Sequence, residues 1–194
     1  MIPAAEALQR LKEGNRRYLN GVSHLKTADG HPAGLEQGQA PFAVILACAD
    51  SRVPVEMIFD QGPGDLFVTR VAGNIAAPSQ LGSIEFAATQ LGSKLVVVLG
   101  HSNCGAVDAT LKTLATGQDD LSPNLLAIID RIRPAVEPLE NPSLHEAVAA
   151  NVRCATEQLR HGSAILEQLI TSGDLTVVGA EYSIENGAVE FFDD

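Results

Sequence analysis

The sequence predicts an α/β fold: a mainly parallel sheet of four to five strands, flanked by helices, with an N-terminal helical arm. Three observations carry this. Short runs dense in Val, Ile, Leu and Ala recur along the chain, each of strand length and apolar throughout, as strands buried on both faces require. Helical periodicities separate most of these runs, and such crossovers keep successive strands parallel. The first helical pattern precedes every strand and stands apart from the alternation.

Residues 4–20 place Ala5, Leu8, Leu11 and Tyr18 near helical spacing with charges between them. This amphipathic helix has two options, packing on its own core or lying across a second copy. Residues 21–41 are rich in Gly, His and polar side chains, with Pro32 and Pro41, and read as an extended connection. Strands are expected at 42–48 and 65–70, with Pro54 and Pro63 in the turns between them. Residues 79–92 read as a helix with Ser79 as N-cap and Gly92 just past its end. A valine-rich third strand follows at 94–100. Helical patterns occupy 105–116, 122–138 and 143–171, broken by Pro134, Pro138, Pro142 and Gly162. A fourth strand is expected at 176–180, and a fifth at 188–192 after the turn Glu185-Asn186-Gly187. There is no internal repeat, and 194 residues fit one domain, 1–194.

Composition narrows the function classes. The 45% hydrophobic and 19% charged fractions are those of a soluble globular protein that needs no disulfides to stabilise its core. A net charge of −11, from 24 acidic against 13 basic residues, repels phosphate backbones and anionic lipid. Nucleic acid and membranes are therefore excluded as expected partners. The longest apolar runs fall far short of the roughly 20 residues of a membrane helix. The opening Met1-Ile2-Pro3-Ala4-Ala5-Glu6 lacks a basic segment followed by an apolar one, so a cytoplasmic location is expected. Three cysteines cannot all pair within one chain, which suits free thiols or metal ligands in a reducing compartment.

Two clusters fall where strands end. Cys48-Ala49-Asp50-Ser51-Arg52 closes the first strand, and Gly100-His101-Ser102-Asn103-Cys104-Gly105 closes the third. In an open parallel sheet, side chains at the carboxyl ends of neighbouring strands converge on one crevice. His101 and Cys104, three apart across a strand-to-helix turn, can reach one ion, and a helix N-terminus favours the Cys104 thiolate. Zinc takes sulfur and nitrogen donors tetrahedrally, and three protein ligands leave a fourth position open. Taken singly, a cysteine after a buried strand is more often a small core residue; two clusters at two strand ends outweigh that reading. Cys154, alone in the helical pattern at 151–159, reads as packing. Asp50 lies two residues from Cys48 and can point at the open position. Arg52 can hold that carboxylate ionised and oriented. Without the neighbouring cluster, the pair would be an ordinary ion pair.

Cys48-Ala49-Asp50-Ser51-Arg52 and His101-Ser102-Asn103-Cys104 resemble the Cys-x-Asp-x-Arg and His-x-x-Cys motifs of the β-class carbonic anhydrases. The likeness runs on through Ser51-Arg52-Val53-Pro54, Gly64-Asp65-Leu66-Phe67-Val68, Arg70-Val71-Ala72-Gly73-Asn74 and Gly82-Ser83-Ile84-Glu85-Phe86-Ala87, and resumes over 182–191. The resemblance implies Zn2+ held by Cys48, His101 and Cys104, with Asp50 and Arg52 as the catalytic dyad. It implies a substrate pocket from Gln39, Phe67, Ala72, Phe86 and Gly105. The implied reaction is reversible hydration of carbon dioxide to bicarbonate and a proton, by zinc-bound hydroxide oriented by Asp50. It also implies a closed state in which Asp50 is the fourth ligand, and a homodimer or homotetramer whose copies share pocket walls. Phe86 stands where plant-type members have a tyrosine, losing a hydroxyl. Ile45 stands where some bacterial members have the tryptophan of a regulatory bicarbonate site, although Arg70 and Tyr182 match the rest of it. Two alternatives share these residues: hydrolysis of carbonyl sulfide or carbon disulfide, and a non-catalytic closed zinc site. A thiol redox protein is set aside because no Cys-x-x-Cys pair occurs.

Overall fold

The computed structural model describes residues 1–24, 34–117 and 120–192. Five strands form one sheet in the order β2-β1-β3-β4-β5. They are β1 (Ala43–Ala47), β2 (Leu66–Arg70), β3 (Leu95–His101), β4 (Thr176–Tyr182) and β5 (Val189–Phe191). The first four are mutually parallel, and β5 closes the sheet antiparallel to β4. Every residue of β1 and β3 is buried, the physical reason their sequences are apolar runs, unbroken until His101 at the end of β3. β2, on the edge, keeps partial exposure along its length.

Alternate side chains serve opposite faces. Ala43, Ile45, Ala47, Leu95, Val97 and Leu99 pack beneath α1 (Ala4–Leu19) and α2 (Val55–Ile58), which contribute Ala7, Leu11, Val55 and Ile58. The N-terminal helix thus covers the sheet of its own chain, resolving the two options left by its sequence. It is fastened by Asn15, whose Nδ2 donates to the carbonyls of Ile58 and Gly187 at 3.1 and 3.0 Å. On the other face, Val44, Leu46, Val96, Val98 and Val177 meet α3 (Pro78–Gln90), α6 (Leu144–His161) and α7 (Ala164–Thr171). Burial of each such side chain stabilises the fold by roughly 1.5–3 kcal/mol. α6 reaches β3 so closely that a Cβ on Gly100 would lie 2.4 Å from Val152 Cγ2. A third cluster joins α4 (Gly105–Thr116), α5 (Pro123–Val136) and α6 through Val107, Ile132, Val136, Ala147 and Val148, around Cys48 and Cys104.

Several boundaries differ from the sequence reading. α3 begins at Pro78 after Ala77, not at a Ser79 cap: proline's fixed φ and missing N–H suit a first helical position, and Ser79 Oγ instead bonds Gln80. Pro134 does not break α5, because it falls in the last turn, where the carbonyl it deprives, on exposed Asp130, is open to solvent. The pattern at 143–171 does divide at Gly162 as read, into α6, started by a Ser143–Glu146 capping box, and α7, started by Ser163, whose Oγ accepts from Leu166 N–H. α2 lies where no helix was expected. Within the connection at 21–41, residues 25–33 lie outside the described residues, and Leu35–Gln37 form a single 3-10 turn. Among the described residues no helix is long and apolar enough to cross a membrane.

Candidate metal centre

β1 leads outward to β2, whereas the next crossover returns past β1 to β3 on its other side. The carboxyl ends of β1 and β3 therefore flank a topological switch point, where crossovers diverge and leave a crevice. Cys48 follows β1, His101 is the last residue of β3, and Cys104 precedes α4. Their sulfur and nitrogen ligand atoms lie within 4.8 Å of one another, and all three residues are buried. His101 Nδ1 is 2.9 Å from the Ser102 carbonyl. That oxygen only accepts, so Nδ1 carries a proton and donates to it, which leaves Nε2 as the atom available to a metal. Nε2 is buried without a hydrogen-bond partner among the described residues. Leaving such an atom unsatisfied costs about 1–3 kcal/mol. A thiophilic divalent ion shared with two sulfurs would supply the missing partner, so this donor set fits zinc.

Electrostatics agree with that use. The Cys104 side chain, followed by His101 and the N–H groups of Gly73 and Asp50, draws the Cys48 thiol below its ordinary value against the opposing effect of burial. Cys104 moves the other way, because Cys48 beside it and its own burial disfavour a second thiolate. The two shifts are opposite because each sulfur acts on the other, and a dication bound between them would favour both as thiolates. Asp50 accepts from Arg52 three times: N–H at 2.9 Å and Nε at 3.0 Å on Oδ1, and Nη2 at 2.8 Å on Oδ2. The guanidinium holds the carboxyl well below the usual carboxylate range. Asp50 Oδ2 lies 3.9 Å from His101 Nε2 and outside the compact ligand cluster.

Several side chains hold these loops, and most of them were not singled out in the sequence. Arg70, at the end of β2, donates Nε to the Cys48 carbonyl at 2.9 Å and Nη2 to the Asp50 carbonyl at 2.5 Å. Gly73 donates its N–H to Cys48 Sγ at 3.4 Å. Glu185, read from sequence only as part of a turn, accepts from Ser102 Oγ at 2.6 Å and Asn103 Nδ2 at 2.7 Å. It thereby braces the ligand loop at Asn103, whose φ is +57°. Asn151, a polar residue on the apolar stripe of α6, was likewise not singled out in the sequence. Of the regulatory-site positions, Ile45 is fully buried beneath α1, and Tyr182 is buried with its hydroxyl 3.5 Å from that of Tyr18.

The expected pocket residues are only partly gathered. Ala72 adjoins Gly73 and Gly105 adjoins Cys104, so both border the cluster. Phe67 and Phe86 pair with each other at 6.3 Å between ring centroids, on β2 and α3. Phe67 is level with Val44, four residues before Cys48, roughly 13 Å back along the strand at about 3.3 Å per residue. Gln39 is exposed on the segment leading into the opposite end of β1. Within one chain, then, Phe67, Phe86 and Gln39 do not enclose the three ligand atoms. Cys154 is far from them in sequence and sits half-buried on α6, accepting from Gln158 Nε2 at 3.6 Å.

A family model described as "Carbonic anhydrase" matches residues 43–189. Carbonic anhydrase 2 of Mycobacterium tuberculosis (strain CDC 1551 / Oshkosh) is 40% identical over 195 residues, covering 93% of this chain and 89% of its own. Among solved structures, the β-carbonic anhydrase CcaA is 30% identical with a TM-score of 0.71, covering 96% of this chain and 95% of its own. A tetrameric β-carbonic anhydrase of Sordaria macrospora, 24% identical, shares the fold at a TM-score of 0.70, over 98% of this chain and 95% of that one. With the switch-point crevice, the Cys-His-Cys cluster and the flanking Asp-Arg pair already in place, these likenesses lead to one conclusion: the chain is an enzyme that belongs to the β-class carbonic anhydrase family.

Proposed function

We propose that this protein is a zinc-dependent catalyst of the reversible hydration of carbon dioxide to bicarbonate and a proton, acting from residues 1–194 as one domain. The observation that carries the reading is the bare, buried Nε2 of His101 facing two cysteine sulfurs, with a carboxylate fixed 3.9 Å away. Cys48, His101 and Cys104 would hold the ion. Bound there, zinc would supply Lewis-acid activation of a water molecule. Asp50, kept ionised by Arg52, accepts a hydrogen bond from the attacking oxygen and turns its lone pair toward the substrate carbon. A carboxylate engaged by three donors on Arg52 is held back from ligation, which supports an open site over a closed, non-catalytic one. Ala72 and Gly105 give a small, largely apolar border suited to a linear, nonpolar substrate.

The remaining wall, in this reading, comes from a second copy in a homodimer or homotetramer. Phe86 is 48% exposed although aromatic, beside Phe67, and Gln39 is exposed on the segment leading into β1. The tetrameric Sordaria macrospora relatives share this fold. Three free cysteines support a cytoplasmic setting. The test is zinc content together with carbon dioxide hydration measured by stopped flow. Native protein is expected to carry one zinc per chain and to hydrate carbon dioxide. Cys104→Ala is expected to lose both metal and activity; full zinc occupancy in that variant overturns the ligand set.

A further inference from the structure

Gly73 is confined from three sides. Its φ is +74°, and a Cβ there would lie 2.6 Å from Ile132 Cδ1 on α5 and 3.3 Å from Ala106 Cβ on α4. From α6, Asn151 Nδ2 donates to the Gly73 carbonyl at 2.8 Å. Asn151 is 3% exposed and shares its helix face with Ala147, Val148, Val152 and Ala155. An amide buried among apolar side chains destabilises the fold by a few kcal/mol unless it is bonded. Here its donor is spent on one carbonyl, that of the residue whose N–H points at Cys48 Sγ at 3.4 Å.

We propose that Asn151 is a positioning residue for the metal centre, fixing Gly73 from behind so that its N–H stays directed at the Cys48 sulfur. The inference rests on Cys48 being a metal ligand. A hydrogen bond to a ligating thiolate withdraws charge from the sulfur and leaves the ion a stronger Lewis acid. That effect matters most where two thiolates already neutralise the dication. Freed from Asn151, the Ala72–Asn74 turn loses the anchor on its carbonyl, and the N–H no longer has a fixed aim.

The test uses cobalt(II) substitution, which reads the metal–thiolate bond through its charge-transfer absorption. Wild type is expected to bind one cobalt with a tetrahedral spectrum; failure to do so overturns the metal reading itself. In Asn151→Leu the thiolate-to-cobalt band is expected to move to longer wavelength, with metal affinity reduced about 10- to 100-fold. Leu159→Ala, two turns along α6 in the core between that helix and the sheet, supplies a destabilised control whose band is expected to stay in place. Asn151→Ser, shorter and still polar, provides the same reading should the leucine variant fail to fold. An unmoved band in a folded Asn151 variant, with wild type binding cobalt normally, overturns this inference alone.

Discussion

Replacing Asp50 by asparagine removes one charge from the crevice with almost no change of shape. The asparagine oxygen still accepts from the Arg52 N–H and Nε, but the amide nitrogen now faces Nη2, donor against donor. A positioned acid–base group contributes about 10²- to 10⁴-fold to rate, or roughly 2.7–5.5 kcal/mol. Arg52 is 51% exposed and Asp50 18%, so solvent screens their attraction and the lower half of that range is expected. The same exposure predicts that fold stability changes by less than about 1 kcal/mol. Hydration in Asp50→Asn is therefore expected to fall about 10²- to 10³-fold at unchanged zinc content and nearly unchanged urea midpoint. Stopped-flow hydration with metal analysis on the same sample measures both. Near-normal turnover with zinc fully bound refutes the role given to the carboxylate.

Other perturbations test the scaffold. Asp60 is nearly inaccessible; burial alone would raise its carboxyl, but Arg17 Nε at 2.5 Å, Ser23 Oγ at 2.7 Å and the His24 N–H hold it down to about 2. A lowered folded-state value means stability present above the ordinary value of about 4 and lost as pH falls through about 2. Asp60→Asn should thus lower stability by about 2–3 kcal/mol at pH 7 and by little at pH 2, read from urea unfolding across pH. If the wild-type and variant curves stay parallel down to low pH, that linkage is absent. Gly100→Ala drives a methyl against Val152 and should cost about 1–3 kcal/mol. Adding Val152→Ala should cost less than the sum of the two single changes, and strict additivity would contradict the close contact. Phe86→Asp charges the exposed aromatic surface and should shift the protein toward monomer, with lost hydration, by light scattering and stopped flow. A fully assembled, active variant would remove Phe86 from the shared wall.

What the sequence disclosed, and what it withheld, follows from burial. β1 and β3 were legible because both faces are covered and every residue before His101 is apolar. The two clusters were legible because the crevice lies where those runs stop, so chemistry-bearing residues stand at visible boundaries. α2 was not, since Val55–Ile58 is too short for a helical period. The start of α3 was misplaced because Pro78 and Ser79 are both starting signals and only the backbone decides between them. Arg70, Glu185 and Asn151 act on carbonyls and hydroxyls of residues far away in sequence, and no spacing rule encodes such contacts. Gln39, Phe67 and Phe86 form no enclosure in one chain, and the resemblance itself implied walls shared between copies.

The strand order has a consequence for how the centre is assembled. Cys48 on one side and His101 with Cys104 on the other are separated by all of β2 and α3, and they meet only when β1 and β3 lie side by side. An unfolded chain therefore offers an ion no more than two donors in any local stretch. On the proposed zinc reading, insertion would come after the sheet has formed, unlike the small zinc modules that collapse around their ion. Stripping the ion with a chelator should leave an empty but intact scaffold that accepts it again without unfolding.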